Sequence, residues 1–311
     1  MNGNQGYPFL GTGAAQRDHY THAGNGGEIF RFRCQLSAAG KVVHKEERSP
    51  FGNASYQYAY DRKGHLTEVL RNGRLIEKYT YDVEGRRIED YRAAHGGSRQ
   101  FIYGHDGALI RVNDAYLEWT PKGQLQAIYS HDQRAEYEYG DDTRLDKVFL
   151  PSGTIIEYRY GNELMPVAVM EGCETVLEYA WKNLLQLHRC VDIQNEVNYA
   201  FFYKGDGTPE GVVLEGPAYK IQRLTGLCSS NLRLRIWVDQ IGSIRALSSA
   251  DGRVLKYVEY DAFGNITHDT GPAGAFRSAS QAVSMTYTPA LCASDSGIMT
   301  RKSGALRQKT R

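Results

Sequence analysis

The sequence predicts an all-β fold in which repeated antiparallel β-hairpins form a curved or spiralling strip. The first observation is a frame, Tyr-Asp-x-x-Gly-x-x, that recurs from Tyr60-Asp61 to Gly64, from Tyr81-Asp82 to Gly85 and from Tyr260-Asp261 to Gly264-Asn265. The first two copies stand 21 positions apart, a period typical of repeat architectures. The second is the alternation of aromatic residues before each copy, as in Tyr56-Gln57-Tyr58-Ala59-Tyr60. The third is a supply of 33 glycines, many of them at the predicted turns.

Each unit reads as strand, turn, strand. Tyrosines at alternate positions share one sheet face, where the ring covers apolar area and the hydroxyl stays available to solvent or a neighbour. The Asp side chain is suited to bond backbone two residues on and start the turn, and the Gly supplies the positive φ that closes it. Worn copies follow at Tyr103-Gly104, Trp119-Thr120, Tyr139-Gly140, Tyr160-Gly161, Tyr179-Ala180 and Tyr203-Lys204. Return turns are expected at Asn72-Gly73, Asp106-Gly107, Asp206-Gly207 and Asp251-Gly252, dipeptides that favour type I′ geometry. About ten units give roughly twenty strands, a ribbon on the order of 100 Å around, with an unpaired strand edge at each end. Such a strip is expected to remain open. Val176 to Leu187 carries some helical spacing, but its place in the Tyr series predicts a strand.

From Trp237 to Ile266 the pattern becomes specific: Trp237-Val238-Asp239-Gln240-Ile241-Gly242-Ser243-Ile244-Arg245, then Asp251-Gly252-Arg253-Val254, then Glu259-Tyr260-Asp261-Ala262-Phe263-Gly264-Asn265-Ile266. This segment closely resembles the Rhs-repeat core. With the upstream Tyr-Asp units, the chain resembles the Rhs/YD-repeat family, which includes bacterial polymorphic toxins and the teneurin YD shell, over roughly residues 46 to 271. The resemblance implies a β-hairpin strip that spirals into part of a hollow shell, often enclosing a C-terminal toxin domain released by cleavage after the core.

Four regions are expected on this basis: a glycine-rich leader or degenerate repeat over 1–45, YD repeats over 46–235, a core-like segment over 236–274, and a frameshifted, disordered tail over 275–311. The family's usual continuation does not follow Asn265-Ile266. Read one base out of frame, with permitted synonymous codons, Ala275 to Arg311 restores text of that type. Part of it is forced, since Met285-Thr286 and Met299-Thr300 each yield an Asp in the shifted frame. A truncated or degenerate cassette, without the self-cleavage motif or a toxin domain, is therefore expected.

Composition fits an all-β chain. Hydrophobic residues are 41%, charged residues 23%, and the formal net charge is +1, so bulk electrostatics favours neither nucleic acid nor an acidic surface. The basic run Arg301, Lys302, Arg307, Lys309 and Arg311 reads as an out-of-frame accident before a nucleic-acid or targeting role. There is no apolar run of membrane-spanning length and no signal peptide at Met1, so localisation stays unknown, cytoplasmic in the absence of specialised secretion. Five cysteines without C-x-x-C spacing point to buried free thiols, with a Cys173–Cys190 disulfide as the alternative.

No residues are assigned to catalysis, a cofactor or a metal. Gly11-x-Gly13 does not complete a dinucleotide fingerprint, and His19-x-x-His22 lacks partner ligands. His105-Asp106, His131-Asp132 and Asp141-Asp142 all fall where the repeats turn, which favours solvent-facing loops over acid–base pairs. The residues singled out are structural: Tyr60, Asp61, Gly64, Tyr81, Asp82, Gly85, Asp239, Gly242, Arg245, Tyr260, Asp261, Gly264 and Asn265. The leading functional reading is a non-catalytic piece of a shell, with other shell segments or a toxin or immunity protein as partner. A carbohydrate- or protein-binding surface module is the alternative and would need a contiguous exposed tyrosine patch. An enzyme ranks last and would need a buried, mutually hydrogen-bonded polar cluster.

Overall fold

The structure, a computed structural model, describes residues 16–20, 29–131, 133–161, 164–184, 186–270, 300–302 and 305–307. The N-terminal third holds β1 (Gln16–Tyr20), β2 (Arg31–Leu36), β3 (Val42–Ser49), β4 (Gly52–Tyr60), β5 (Leu66–Arg71), β6 (Arg74–Tyr81), β7 (Arg87–Arg92) and β8 (Gly97–Tyr103). The middle holds β9 (Leu109–Val112), β10 (Ala115–Trp119), β11 (Leu125–Ser130), β12 (Gln133–Tyr139), β13 (Leu145–Phe149), β14 (Ile155–Tyr160), β15 (Pro166–Glu171) and β16 (Glu174–Asn183). Then follow β17 (Gln186–Asp192), β18 (Val197–Tyr203), β19 (Pro209–Glu215), helix α1 (Ala218–Thr225), β20 (Asn231–Val238), β21 (Ile244–Ser249), β22 (Val254–Tyr260) and β23 (Ile266–Asp269). These form one 23-stranded sheet in which strands consecutive in the chain pair antiparallel. No pairing joins β1 to β23 among the described residues, so the sheet is an unclosed meander.

The repeat works through one turn used many times. In Asp61 to His65 the Asp61 amide donates to the His65 carbonyl and the Gly64 amide donates to the Asp61 carbonyl, with Gly64 at φ +88°. The same pair of bonds closes the turns at Ser37, Asp82, Gly104, Thr120, Gly140, Lys204, Asp239 and Asp261. This is the three-residue hairpin loop whose left-handed residue forms a bulge. Register shifts accordingly fall beside Tyr60, Tyr81, Tyr103, Tyr139, Tyr160 and Tyr260. Repeated bulges along one edge bend and twist the strip in a consistent sense.

The Tyr of each unit has a role that alternation alone did not reveal. Its hydroxyl donates to the backbone carbonyl that opens the second strand of the preceding hairpin: Tyr60 to Val42, Tyr81 to Leu66, Tyr103 to Arg87, Tyr139 to Leu125, Tyr160 to Leu145, Tyr203 to Leu187 and Tyr260 to Ile244. Trp119 and Trp181 fill the position with their indole N–H, bonding Leu109 and Pro166. The worn copy assigned to Tyr179 is therefore centred on Trp181, and Tyr179 lies two residues earlier against the core.

Two further expectations are corrected. Asn72-Gly73 has positive φ at both residues, +51° and +77°, as a type I′ turn requires, but Asp106, Asp206 and Asp251 do not. Those Asp-Gly pairs end the five-residue turn described above, where only Gly needs the left-handed region. Helix α1 was not foreseen; Ile221, Leu224 and Thr225 are buried, and the two apolar residues belong to the largest core cluster with Leu187, Leu214 and Leu234. Residues 31–36 and 42–49 are strands and Phe30 is fully buried, so this stretch takes the hairpin form of the degenerate repeat named as one alternative for 1–45. Val176 to Leu187 is strand on both sides of its turn, as expected.

The described cysteines are free, Cys34 and Cys190 buried and Cys173 and Cys228 exposed, so the Cys173–Cys190 disulfide is not formed. Cys292, His22 and Asp132 lie outside the described residues. So does the predicted frameshifted tail, apart from a short ribbon in which Thr300–Lys302 pairs with Ala305–Arg307.

Candidate functional site

The strip folds back on itself. A core of Ile29, Phe30, Phe32 and Cys34 packs against Trp237, Ala246 and Tyr257, joining the first described hairpin to the core-like segment. Beside it lies a seam of buried charge.

Arg245, 3% exposed on β21, reaches β3, where Nη1 donates to Glu47 Oε2 at 3.0 Å and Nη2 to Glu47 Oε1 at 2.6 Å. Nε donates to the Val258 carbonyl, Nη2 also meets the Tyr257 hydroxyl, and the guanidinium lies 4.9 Å over the Phe30 ring. Lys45 Nζ adds a second cation 2.9 Å from Glu47. Burial opposes the charged form of Glu47, but Lys45 and Arg245 outweigh it and hold the carboxyl below its ordinary value. Asp239 lies near the same cations; its burial dominates and raises it.

The second half of the seam is built by the turn between β22 and β23. Asp261 accepts from the Phe263 and Asn265 amides and from Asn265 Nδ2, and its Oδ2 takes Arg92 Nη1 from β7 at 2.5 Å. Arg92 also bonds Asp90, which Arg99 grips through Nε and Nη2 at 3.0 and 2.8 Å. Glu77 on β6 accepts the Tyr79 hydroxyl and, at 3.1 Å, the Ala262 amide, both on Oε2. Burial pushes its carboxyl up to about 7, with Asp261 adding to the effect. Phe263 covers this group edge-on to Tyr79, with Arg87 stacked above it. At the rim, Arg71 makes a bidentate pair with Glu259 at 3.1 and 3.0 Å.

The structure thus divides the thirteen motif residues. Tyr60, Asp61, Gly64, Tyr81, Asp82 and Gly85 lie along the turn edge, where Asp61 and Asp82 pair locally with His65 and Arg86. Asp239, Arg245, Asp261 and Asn265 are buried in or beside the seam, Tyr260 ties the last hairpin to Ile244, and Gly242 and Gly264 hold its turns at φ +90° and +83°. Sequence reasoning missed Lys45, Glu47, Glu77, Asp90 and Arg92. Their signal was charge on the inward phase of a strand: Tyr79 pairs with Asp90 and Glu77 with Arg92, so the ionic residues share the face of a core tyrosine.

A buried polar cluster therefore exists, and Glu47, Asp261 and Arg245 within it are committed to fixed partners. Both oxygens of Glu47 and of Asp261 accept hydrogen bonds, and all three guanidinium nitrogens of Arg245 donate. An open depression of about 390 Å³ lies elsewhere, beside Gly140, Asp142, Arg144 and Tyr160, where Asp142 pairs with Arg144. No group of three or more His, Cys, Asp or Glu among the described residues is placed to hold a metal ion. No described helix is long and apolar enough to cross a membrane. His105, His131, Asp141 and Asp142 sit in exposed turns. The exposed tyrosines among the described residues, Tyr91, Tyr116 and Tyr219, lie on β7, β10 and α1.

No protein-family model matches the chain. Teneurin-3 of Danio rerio is 25% identical over 268 residues, covering 79% of this chain and 9% of that protein. Teneurin-4 of Mus musculus is 26% identical over 258 residues, with the same coverage. Among solved structures, the Photorhabdus luminescens Tc holotoxin pore is similar over 81% of this chain and 16% of that chain, with 12% identity and a TM-score of 0.37. TcdB2-TccC3 without its hypervariable C-terminal region is similar over 88% and 18%, with 12% identity and a TM-score of 0.38. The repeated turn, its Tyr-to-carbonyl ladder and the unclosed meander define a YD-type β-hairpin repeat scaffold. Over most of its length the chain is similar to teneurins, and it spans about a tenth of the length of the curated relatives it matches.

Proposed function

We propose that the chain acts as a non-catalytic, curved wall segment of a shell-type assembly, held in its curl by the core-like segment. The carrying observation is the seam itself: Arg245 to Glu47 and Arg92 to Asp261 bridge 198 and 169 residues of chain, while among the described residues the sheet supplies no hydrogen-bonded closure. A catalytic group must offer a lone pair or proton to a substrate, and Glu47 and Asp261 spend both carboxylate oxygens on fixed partners. The partners in this reading are further strip segments of the same kind, since exposed strand edges are what such repeats pair through. Encapsulation of a toxin is the finer form of this reading.

The test is hydrodynamic. Light scattering coupled to size exclusion on the full chain should give a compact monomer, and Arg92→Ala with Arg245→Ala together should increase its radius while far-ultraviolet circular dichroism keeps its β signature. A wild-type chain already as expanded as the double variant would overturn the reading.

A further inference from the structure

We propose that the seam is a proton-dependent latch, in which Glu77 must hold a proton for the turn between β22 and β23 to stay seated on β6 and β7. The inference rests on the reading of the chain as a strip whose ends meet, and it assigns that junction a regulator.

The geometry is a shortage of cations. Three carboxyl groups, Glu77, Asp90 and Asp261, converge where the last turn inserts. Asp90 is gripped by Arg99 and Arg92, with Arg87 at 3.7 Å, and Asp261 takes the other end of Arg92. Among the described residues no Lys or Arg forms an ion pair with Glu77. From its own strand it meets the Tyr79 hydroxyl, from the inserted turn the Ala262 amide and the charge of Asp261, from β7 the charge of Arg92, and from β4 Tyr58. Its side chain is nonetheless buried. The two hydrogen bonds fall on a single oxygen, Oε2, and leave Oε1 as the place for a proton. An unpaired buried carboxylate next to a second carboxylate is disfavoured, so the neutral acid is the form that fits.

The direction follows from linkage. The folded state holds the Glu77 proton up to about pH 7, whereas the opened state releases it near the ordinary 4.5. The latch is therefore strongest below about pH 5 and weakens as pH rises from there to about 7, beyond which it levels off. The same contact that joins the strip's ends links them to pH: Ala262 N–H, which reads Glu77, belongs to the residue after Asp261.

The experiment is hydrogen exchange on the full chain from pH 5 to 8, corrected for intrinsic exchange rates, following peptides that cover β22 and β23. Their protection should fall by about tenfold per pH unit between 5 and 7, the slope for one proton, and then level off. Glu77→Gln keeps a neutral amide in place and should flatten that slope. Tyr79→Phe removes a donor that favours the charged carboxyl and should move the midpoint upward. Wild-type and Glu77→Gln profiles that overlay would overturn the latch, and so would an unmoved midpoint in Tyr79→Phe should the Gln variant not fold. Light scattering at pH 6 on the same samples checks the meeting of the strip's ends separately: an expanded chain at every pH would sink the scaffold reading, whereas a compact chain with no slope sinks only the latch.

Discussion

Arg245 grips Glu47 through two parallel hydrogen bonds, 3.0 and 2.6 Å long, although 198 positions separate them in the chain. The pair is buried on both sides and supported by Lys45, Tyr257 and Phe30. An ion pair so far from water gains little in net stability, because desolvation offsets attraction, but it penalises any arrangement that leaves one partner alone. In a strip whose sheet does not close, that asymmetry selects one way for the ends to meet.

The first prediction follows from it. Arg245→Met should destabilise the chain by about 3–5 kcal/mol, since Glu47 stays buried with Lys45 as its one cation in the seam and the Tyr257 hydroxyl as its other partner. Combining Arg245→Met with Glu47→Leu should recover much of the loss. Urea denaturation of the two single variants and the double variant measures this as a coupling energy; additive single effects would mean that the contact has no energetic role.

Asp261 and Asp61 occupy the same place in the same turn, yet they should not respond alike. Asp261→Asn removes the charge opposite Arg92 in a buried site and should cost about 3 kcal/mol. Asp61 is partly open to solvent and meets only His65 in its own turn, so Asp61→Asn should leave the denaturation midpoint within error. Equal shifts would show that the core-like copy carries nothing beyond turn formation.

That contrast explains how far the sequence could be read. The turn was legible because its causes are local: a side-chain acceptor at Asp, a left-handed residue at Gly, alternation before Tyr. Asp106-Gly107 was mistaken for a type I′ turn because the dipeptide alone does not say whether one residue or both must take positive φ. The seam was legible only on one side. Asp239, Arg245 and Asp261 stood out within an ordered motif, whereas Glu47, Glu77 and Arg92 looked like ordinary strand charges, and what distinguishes them is a fold-back across more than 150 residues. Helix α1 was invisible for a similar reason, as its eight residues are stabilised by burying Ile221 and Leu224 under the sheet.

The ladder from Tyr hydroxyl to preceding carbonyl predicts a uniform, modest effect. Tyr160→Phe removes one hydrogen bond of 2.9 Å to Leu145 while keeping the ring, and should cost about 1 kcal/mol. Tyr103→Phe should cost about the same, and because the two rungs do not share partners, the double variant should show the sum. Thermal denaturation of the set decides; no effect in either single variant would make the ladder a consequence of turn geometry.

Thr143 sits where other copies of this turn carry glycine, its amide donating to the Gly140 carbonyl as the Gly64 amide does to Asp61. Its φ is +68°, in the left-handed region, where a β-branched residue pays about 1–2 kcal/mol in steric strain. Thr143→Gly relieves that strain but adds backbone freedom to the unfolded chain, worth about 0.4–1 kcal/mol in the other direction. The net expectation is a stabilisation of about 0.5–1 kcal/mol, read as a higher urea midpoint with an unchanged slope. The converse change, Gly64→Thr, should destabilise, because Gly64 at φ +88° lies in the left-handed region that a β-branched residue enters only with strain. A lower midpoint for Thr143→Gly would mean that contacts of the threonine side chain outweigh its backbone strain, and that this worn copy has been remade around its threonine.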